Sequence, residues 1–280
     1  MDATPLDLPI GLALYTVAAE LRQDFRGTLR QIAEIGYRQV EMFGFYNRSA
    51  EDLRRTLGEA GLACPSALYG WSDLLENFDA ALEYAHALGL KYMGCVFPAL
   101  ANPARLGLQG KPLAEQVGPI WDNMTLDDWK WNAEHLNLVG AKTRKAGIQL
   151  TYHNHNLEFK TFSKRSAFHW LLSLTDPKLV QIELDCGWAA AAGHDPSEIL
   201  HTHAGRIALV HIKDQMPGPP TTARGPRTTE VGRGTVDWKK VFAAAKLAGV
   251  KGYFVEQEPP LDRPPLEAIK ISYDFLRDLK

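Results

Sequence analysis

The chain is poor in cysteine: Cys64, Cys95 and Cys186 are the only three in 280 residues, far apart and mostly set in apolar runs. An odd, scattered set argues against a disulfide framework and suits reduced thiols in a core. Also missing is any run approaching the roughly 18 consecutive apolar residues of a membrane-spanning helix. The opening "MDATPLDLPIG" carries neither the basic nor the apolar part of an export signal. The chain is therefore read as cytoplasmic, with no membrane partner. Charge of one sign is scarce as well, since 31 basic residues stand against 33 acidic ones for a net charge of -2. That leaves no electrostatic footprint for nucleic acid and favours a small ligand. Finally, "LALYTVAAEL" has no glycine where an open dinucleotide-binding sheet would need its phosphate loop.

What is present is an alternation. Eight short β-rich runs are predicted at 10–16, 39–44, 62–68, 92–97, 148–154, 180–188, 207–214 and 252–258. Most are apolar on both faces, as parallel strands under helices should be. Helix-length amphipathic stretches fall between them, at 21–35, 50–60, 73–88, 125–146, 165–174, 195–203, 237–248 and 264–279. Glycine follows several of these, as in "EIGYRQV", "ALGLKYM" and "LAGVKGY", where a left-handed C-terminal cap belongs. Eight βα units in this length predict a single α/β domain over 1–280, a (β/α)8 TIM barrel whose chemistry gathers on the loops after each strand. Two long connections, 98–124 and 215–236, follow strands and so lie on that face.

The strand ends are rich in chemistry. Glu41 ends the second run; His153, Asn154 and His155 end the fifth, with Glu158 just beyond. Glu183 and Asp185 lie on the sixth, His211, Lys213 and Asp214 on the seventh, Glu256 and Glu258 on the eighth. Strand alternation places Glu183 with Asp185, and Glu256 with Glu258, on a shared face. Several carboxylates aimed at a barrel axis are costly to bury unless paired, hydrogen-bonded or bound to a cation, so a divalent metal accounts for them economically. With no cysteine pair, Mn²⁺, Mg²⁺ or Co²⁺ fits better than a thiolate-bound zinc. Each residue also has a plain structural reading: His153 or His155 as a packed histidine, Asp185 as the cap of the turn at Gly187. Trp71 and Trp188 suit either a sugar face or the core.

Taken together, "GLALYT", "EIGYRQVEMFG", "YHNHNLEF", "ELDCGWAAAAGHDP", "HIKD", "VGRGTVDW" and "VEQE" resemble the xylose-isomerase-like barrels of the sugar phosphate isomerase/epimerase superfamily over nearly the whole chain. The resemblance implies one divalent ion, Mn²⁺ first and Mg²⁺ or Co²⁺ next. It also implies a small-molecule sugar substrate, no nucleic acid, and a homo-oligomer such as the dimers and tetramers common among proteins of this kind. Asp185, His211 and Glu256 match three of the family's four ligands. The fourth, a glutamate on the fifth strand, has no direct counterpart in "TYHNH"; Glu158 is taken for it, with His153 as the alternative. Glu158 and Glu256 are then the expected proton-transfer pair, and His153, His155, Lys213 and Trp188 the expected substrate contacts. The implied reaction is isomerisation or epimerisation of a ketose or keto-sugar through an enediolate. A lyase acting on an inosose or a 3-keto-glycoside is the alternative, and a sugar-binding barrel without catalysis a further one. Arg224, Arg227 and Arg233 lie where barrels often bind phosphate, but an unphosphorylated substrate is preferred.

Overall fold

A computed structural model describes residues 4–108, 110–218 and 225–279. Arg224 and the centre of the proline-rich stretch lie outside them. All eight expected strands form: β1 (Gly11–Ala13), β2 (Gln39–Phe43), β3 (Ala63–Tyr69), β4 (Tyr92–Cys95), β5 (Gln149–His153), β6 (Val180–Asp185), β7 (Ile207–Ile212) and β8 (Gly252–Val255). Each pairs in parallel with its sequence neighbour, and β1 pairs with β8 to close the barrel. Leu12, Val40, Ala67, Met93, Leu150, Ile182, Val210 and Val255 are all buried. They belong to the apolar runs that periodicity assigned to strands.

The main helices are α1 (Phe25–Ile35), α2 (Ala50–Glu59), α3 (Phe78–Leu88), α4 (Leu126–Lys145), α5 (Ala167–Leu174), α6 (Pro196–Thr202), α7 (Trp238–Ala248) and α8 (Pro265–Asp278). Their ends follow local chemistry. Asp24 caps α1 by accepting from the Gly27 N–H, and so splits the expected 21–35 helix into α1 and the end of a short helix at Ala18–Gln23. Thr125 and Asp128 form a reciprocal capping box at α4. Gly89 and Gly249 end α3 and α7 in the left-handed region, at φ 84° and 77°. Among the described residues, no helix is long and apolar enough to cross a membrane. The cysteines are unpaired, and burial pushes the Cys64 thiol up to about 12.

Two features depart from expectation. The sixth strand ends at Asp185 rather than Trp188, because the Asp185 carboxylate accepts from the Trp188 N–H at 2.8 Å and starts a short helix, Cys186–Ala191. The connection 98–124 is also not all loop, for Leu113–Asn123 is helical despite Pro119 within it.

"VGRGTVDW" now has a physical role. Asp214, fully buried, accepts from the backbone N–H groups of Gly232, Gly234 and Val236 at 2.9, 3.1 and 3.2 Å, and from the Trp238 indole at 2.9 Å. One carboxylate thus ties the return loop to the end of β7. Asp214→Ala strands those donors and is expected to cost about 3 kcal/mol. Urea unfolding would measure the loss, and amide exchange should quicken first at Gly232 and Gly234.

Candidate active site

Alternation along the last four strands aims His153 and His155, Glu183 and Asp185, His211 and Lys213, and Glu256 and Glu258 at the axis. From β2 comes Glu41. Strand register shifts at Glu41 in the β2–β3 pair and at Glu183 in the β6–β7 pair. Such irregularities re-aim side chains near functional sites.

Ligand atoms of His153, Asp185, His211 and Glu256 lie within 4.8 Å of one another, all buried, and a second group of Glu41, Glu183 and His211 satisfies the same limit. His211 joins the two. Its Nδ1 is 3.0 Å from Glu256 Oε2 and its Nε2 is 2.6 Å from Glu41 Oε2. A carboxylate behind an imidazole in this manner fixes the ring's orientation and raises its basicity as a ligand. His153 Nδ1 and both Glu183 oxygens are buried with no hydrogen-bond partner. Buried polar atoms normally find one. A donor set of two imidazoles and two carboxylates, with the orphaned His153 Nδ1 among them, fits a divalent cation.

The electrostatics agree. Burial, helped by neighbouring imidazoles, holds His153 well below its usual value, and so neutral as a ligand must be. Burial would lower His211 too, but Glu183, Glu41 and Glu256 outweigh it and hold that ring well above the ordinary range. Glu256 lies well below its usual value because Lys213 and His211 overcome the effect of burial. Burial and the nearby Glu41 push Glu183 well up. Metal binding would release the proton that His211 holds.

Lys213 has no exposed side-chain surface. Its ammonium is 2.8 Å from Asp185, 2.7 Å from Glu256 and 2.6 Å from Glu258, and it sits 5.0 Å over the Trp188 ring. Burial opposes its charge, yet the three carboxylates raise its pKa well above the usual value. Room for it depends on Gly187, where a methyl group would come within 2.6 Å of the Lys213 carbonyl oxygen. Trp188 also donates from its indole to Glu258 at 3.2 Å. His155 stacks on Phe97, with ring centres 4.9 Å apart, and faces Trp121 and Trp188 at 5.3 and 5.8 Å. The cavity above the cluster has about 540 Å³ including its open mouth, and His153, His155, Glu256 and Glu258 all line it.

The structure brings Asp185, His211, Glu256 and His153 together, with Lys213 against them and His155 and Trp188 beside them. Among the described residues, Glu158 does not join that group. Its Oε1 accepts from the Tyr152 hydroxyl at 2.6 Å and its Oε2 from the His155 N–H at 2.8 Å, so it braces the strand end instead. The fifth-strand donor in the group is His153. Glu41, Glu183 and Glu258 stood out at strand ends in the sequence without an assigned role. Alternation was the signal that placed two of them beside Asp185 and Glu256. Trp71 packs on Trp131, and the Arg227 guanidinium is committed to Asp262.

Burial pushes Glu158 up to about 7 from its ordinary 4.5. The folded chain then keeps a proton that the unfolded chain releases. This contribution to stability is complete below about pH 4.5 and is lost as pH rises to about 7, a fall of order 3 kcal/mol. Glu158→Gln mimics the protonated carboxyl and is expected to flatten that part of the profile. Unfolding free energies at pH 5 and pH 8 would show it; an equal fall in both proteins would assign the proton elsewhere.

A closed parallel barrel with a buried histidine–carboxylate cluster at the C-terminal ends of its strands carries the donors a divalent metal site needs. The chain belongs to the xylose isomerase-like TIM barrel family, whose model matches residues 29–279. Curated relatives include the inosose dehydratase of Geobacillus kaustophilus, 27% identical over 259 residues that cover 84% of this chain and 81% of that protein. Another is the inosose dehydratase of Clostridium perfringens, 24% identical over 270 residues, with 88% and 87% covered. Among solved structures, a sugar phosphate isomerase/epimerase from Parabacteroides distasonis superposes with a TM-score of 0.76 at 26% identity, covering 96% of each chain.

Proposed function

We propose that this protein is a divalent-metal-dependent lyase that removes water from an inosose-like cyclic polyhydroxy ketone. The carrying observation is the buried cluster of His153, Asp185, His211 and Glu256 within 4.8 Å, in a chain whose curated relatives are inosose dehydratases. Those four residues would hold the ion, Mn²⁺ by preference and Mg²⁺ or Co²⁺ as substitutes. When bound it would polarise the substrate carbonyl and so acidify the adjoining C–H.

The protein's own groups do the rest. Glu256, held below the usual carboxylate range by Lys213 and His211, is a better ligand than base, and Glu158 is committed to Tyr152 and His155. Glu258 lines the cavity with its Oε1 anchored by Lys213 and Trp188. It takes the proton from the carbon beside the carbonyl. His155, lining the same cavity, delivers a proton to the hydroxyl on the next carbon as it departs. One C–H and one C–O bond break, a C=C bond forms, and one water leaves with no change of oxidation state overall. Positioned proton transfer of this kind contributes about 10² to 10⁴-fold.

Isomerisation or epimerisation is the second reading, favoured by the likeness to the Parabacteroides distasonis structure; there the proton returns to carbon and no hydroxide departs. The Mn²⁺-loaded protein, incubated with inososes and ketoses in D₂O, separates the two by NMR. Deuterium beside the carbonyl with loss of water supports the lyase, while deuterium without dehydration moves the assignment to an epimerase. No exchange with any of these substrates would remove both.

A further inference from the structure

We propose that the substrate is two-faced: a polyol or keto-sugar ring on the metal side, carrying an apolar substituent of aromatic size that lies against strands β1 to β4. This deepens the lyase reading and rests on it. The cavity walls are unlike one another. From β5 to β8 come His153, His155, Glu256 and Glu258; from β1 to β4 come Tyr15, Phe43, Leu68, Val96 and Phe97. Glu41 of β2 also reaches the cavity, but its Oε2 is held by His211 at 2.6 Å.

A bare inosose carries oxygen around its whole ring. Hydroxyls turned toward Leu68 and Val96 would leave water for two side chains that offer no donor or acceptor. An unsubstituted cyclic polyol therefore matches half of this cavity. The other half is shaped for rings: Tyr15 meets Phe43 edge-on with centres 5.9 Å apart, and Phe97 lies flat on His155. Tyr15 is 39% exposed, which places this apolar side at the mouth, where a substituent would extend outward. Aromatic faces of that kind gain from a stacked or edge-on guest ring beyond the area they cover.

The test uses the Mn²⁺-loaded protein and unreactive probes in titration calorimetry: 4-nitrophenyl β-D-glucopyranoside, methyl β-D-glucopyranoside and myo-inositol. The aryl glucoside is expected to bind at least about tenfold more tightly than the methyl glucoside. Tyr15→Ser and Phe43→Ser should each reduce that advantage while metal content stays unchanged. Tyr15→Ser changes a partly exposed residue, so the test survives if the Phe43 variant folds poorly. Equal affinities, tighter binding of myo-inositol, or no detectable aryl binding would overturn the two-faced substrate. Metal content and deuterium exchange are read separately. A protein that loads metal and exchanges protons but shows no aryl preference refutes this inference alone, whereas absence of both refutes the lyase reading beneath it.

Discussion

Asp185→Asn is expected to lower divalent-metal affinity by more than the about 10 to 100-fold that loss of a mere supporting partner costs, with the fold intact. Asp185 has two duties. One carboxylate oxygen, Oδ1, accepts from the Trp188 N–H at 2.8 Å and begins the helix Cys186–Ala191. The other, Oδ2, faces the cluster, 2.8 Å from the Lys213 ammonium and 3.8 Å from His153 Nε2. Asparagine keeps an oxygen for the cap but surrenders the anionic donor, so it isolates the second duty. Asp185→Ala surrenders both and should add about 1 kcal/mol of destabilisation from the lost cap. Metal analysis after dialysis at fixed free Mn²⁺, with circular dichroism as the control for folding, measures the effect. Unchanged metal content in Asp185→Asn would remove this residue from the ligand set.

Lys213→Met has the largest expected effect on stability. Methionine fills much of the same space but leaves Asp185, Glu256 and Glu258 without the ammonium that lies within 2.8 Å of each. Breaking a buried ionic cluster from one side costs about 3 to 5 kcal/mol, and the metal-free protein should lose that amount. The metal-loaded protein should lose less, because a divalent ion supplies positive charge to Asp185 and Glu256 and stabilises the folded state by mass action. Melting temperatures of the variant in EDTA and in Mn²⁺ make the comparison. An equal loss in both conditions would mean that lysine and metal serve separate groups of carboxylates.

The barrel was legible in the sequence because its evidence is local. Apolar runs of strand length, amphipathic runs of helix length and glycines such as Gly89 and Gly249 can each be read a few residues at a time, and their regular order leaves few topologies open. The inward residues were legible for a related reason: a period of two pairs Glu183 with Asp185 and Glu256 with Glu258 without knowledge of the rest of the fold. What stayed hidden depends on contacts that no spacing records. The family resemblance takes Glu158 for the fourth ligand, but the Tyr152 hydroxyl and the His155 N–H engage both of its oxygens. Lys213 stood in the sequence as an expected substrate contact, and nothing in its spacing showed the three carboxylates that surround it. Leu113–Asn123 was masked by Pro119, which local rules treat as a helix breaker.

The unequal walls of the cavity also bear on how a barrel of this kind diversifies. The proposed ligands and proton-transfer groups come almost wholly from the second half of the chain, and the surface proposed to meet the variable part of a guest comes from the first. Inheritance can therefore hold one half steady while the other drifts. On that reading, exchange of Leu68 or Phe43 for other residues would alter which molecules are admitted and leave the reaction as it was. Under the proposed function, exchange of His211 or Asp185 would end the reaction whatever is admitted. A lineage built on this plan can acquire new substrates through small changes on four strands and keep its chemistry on the other four.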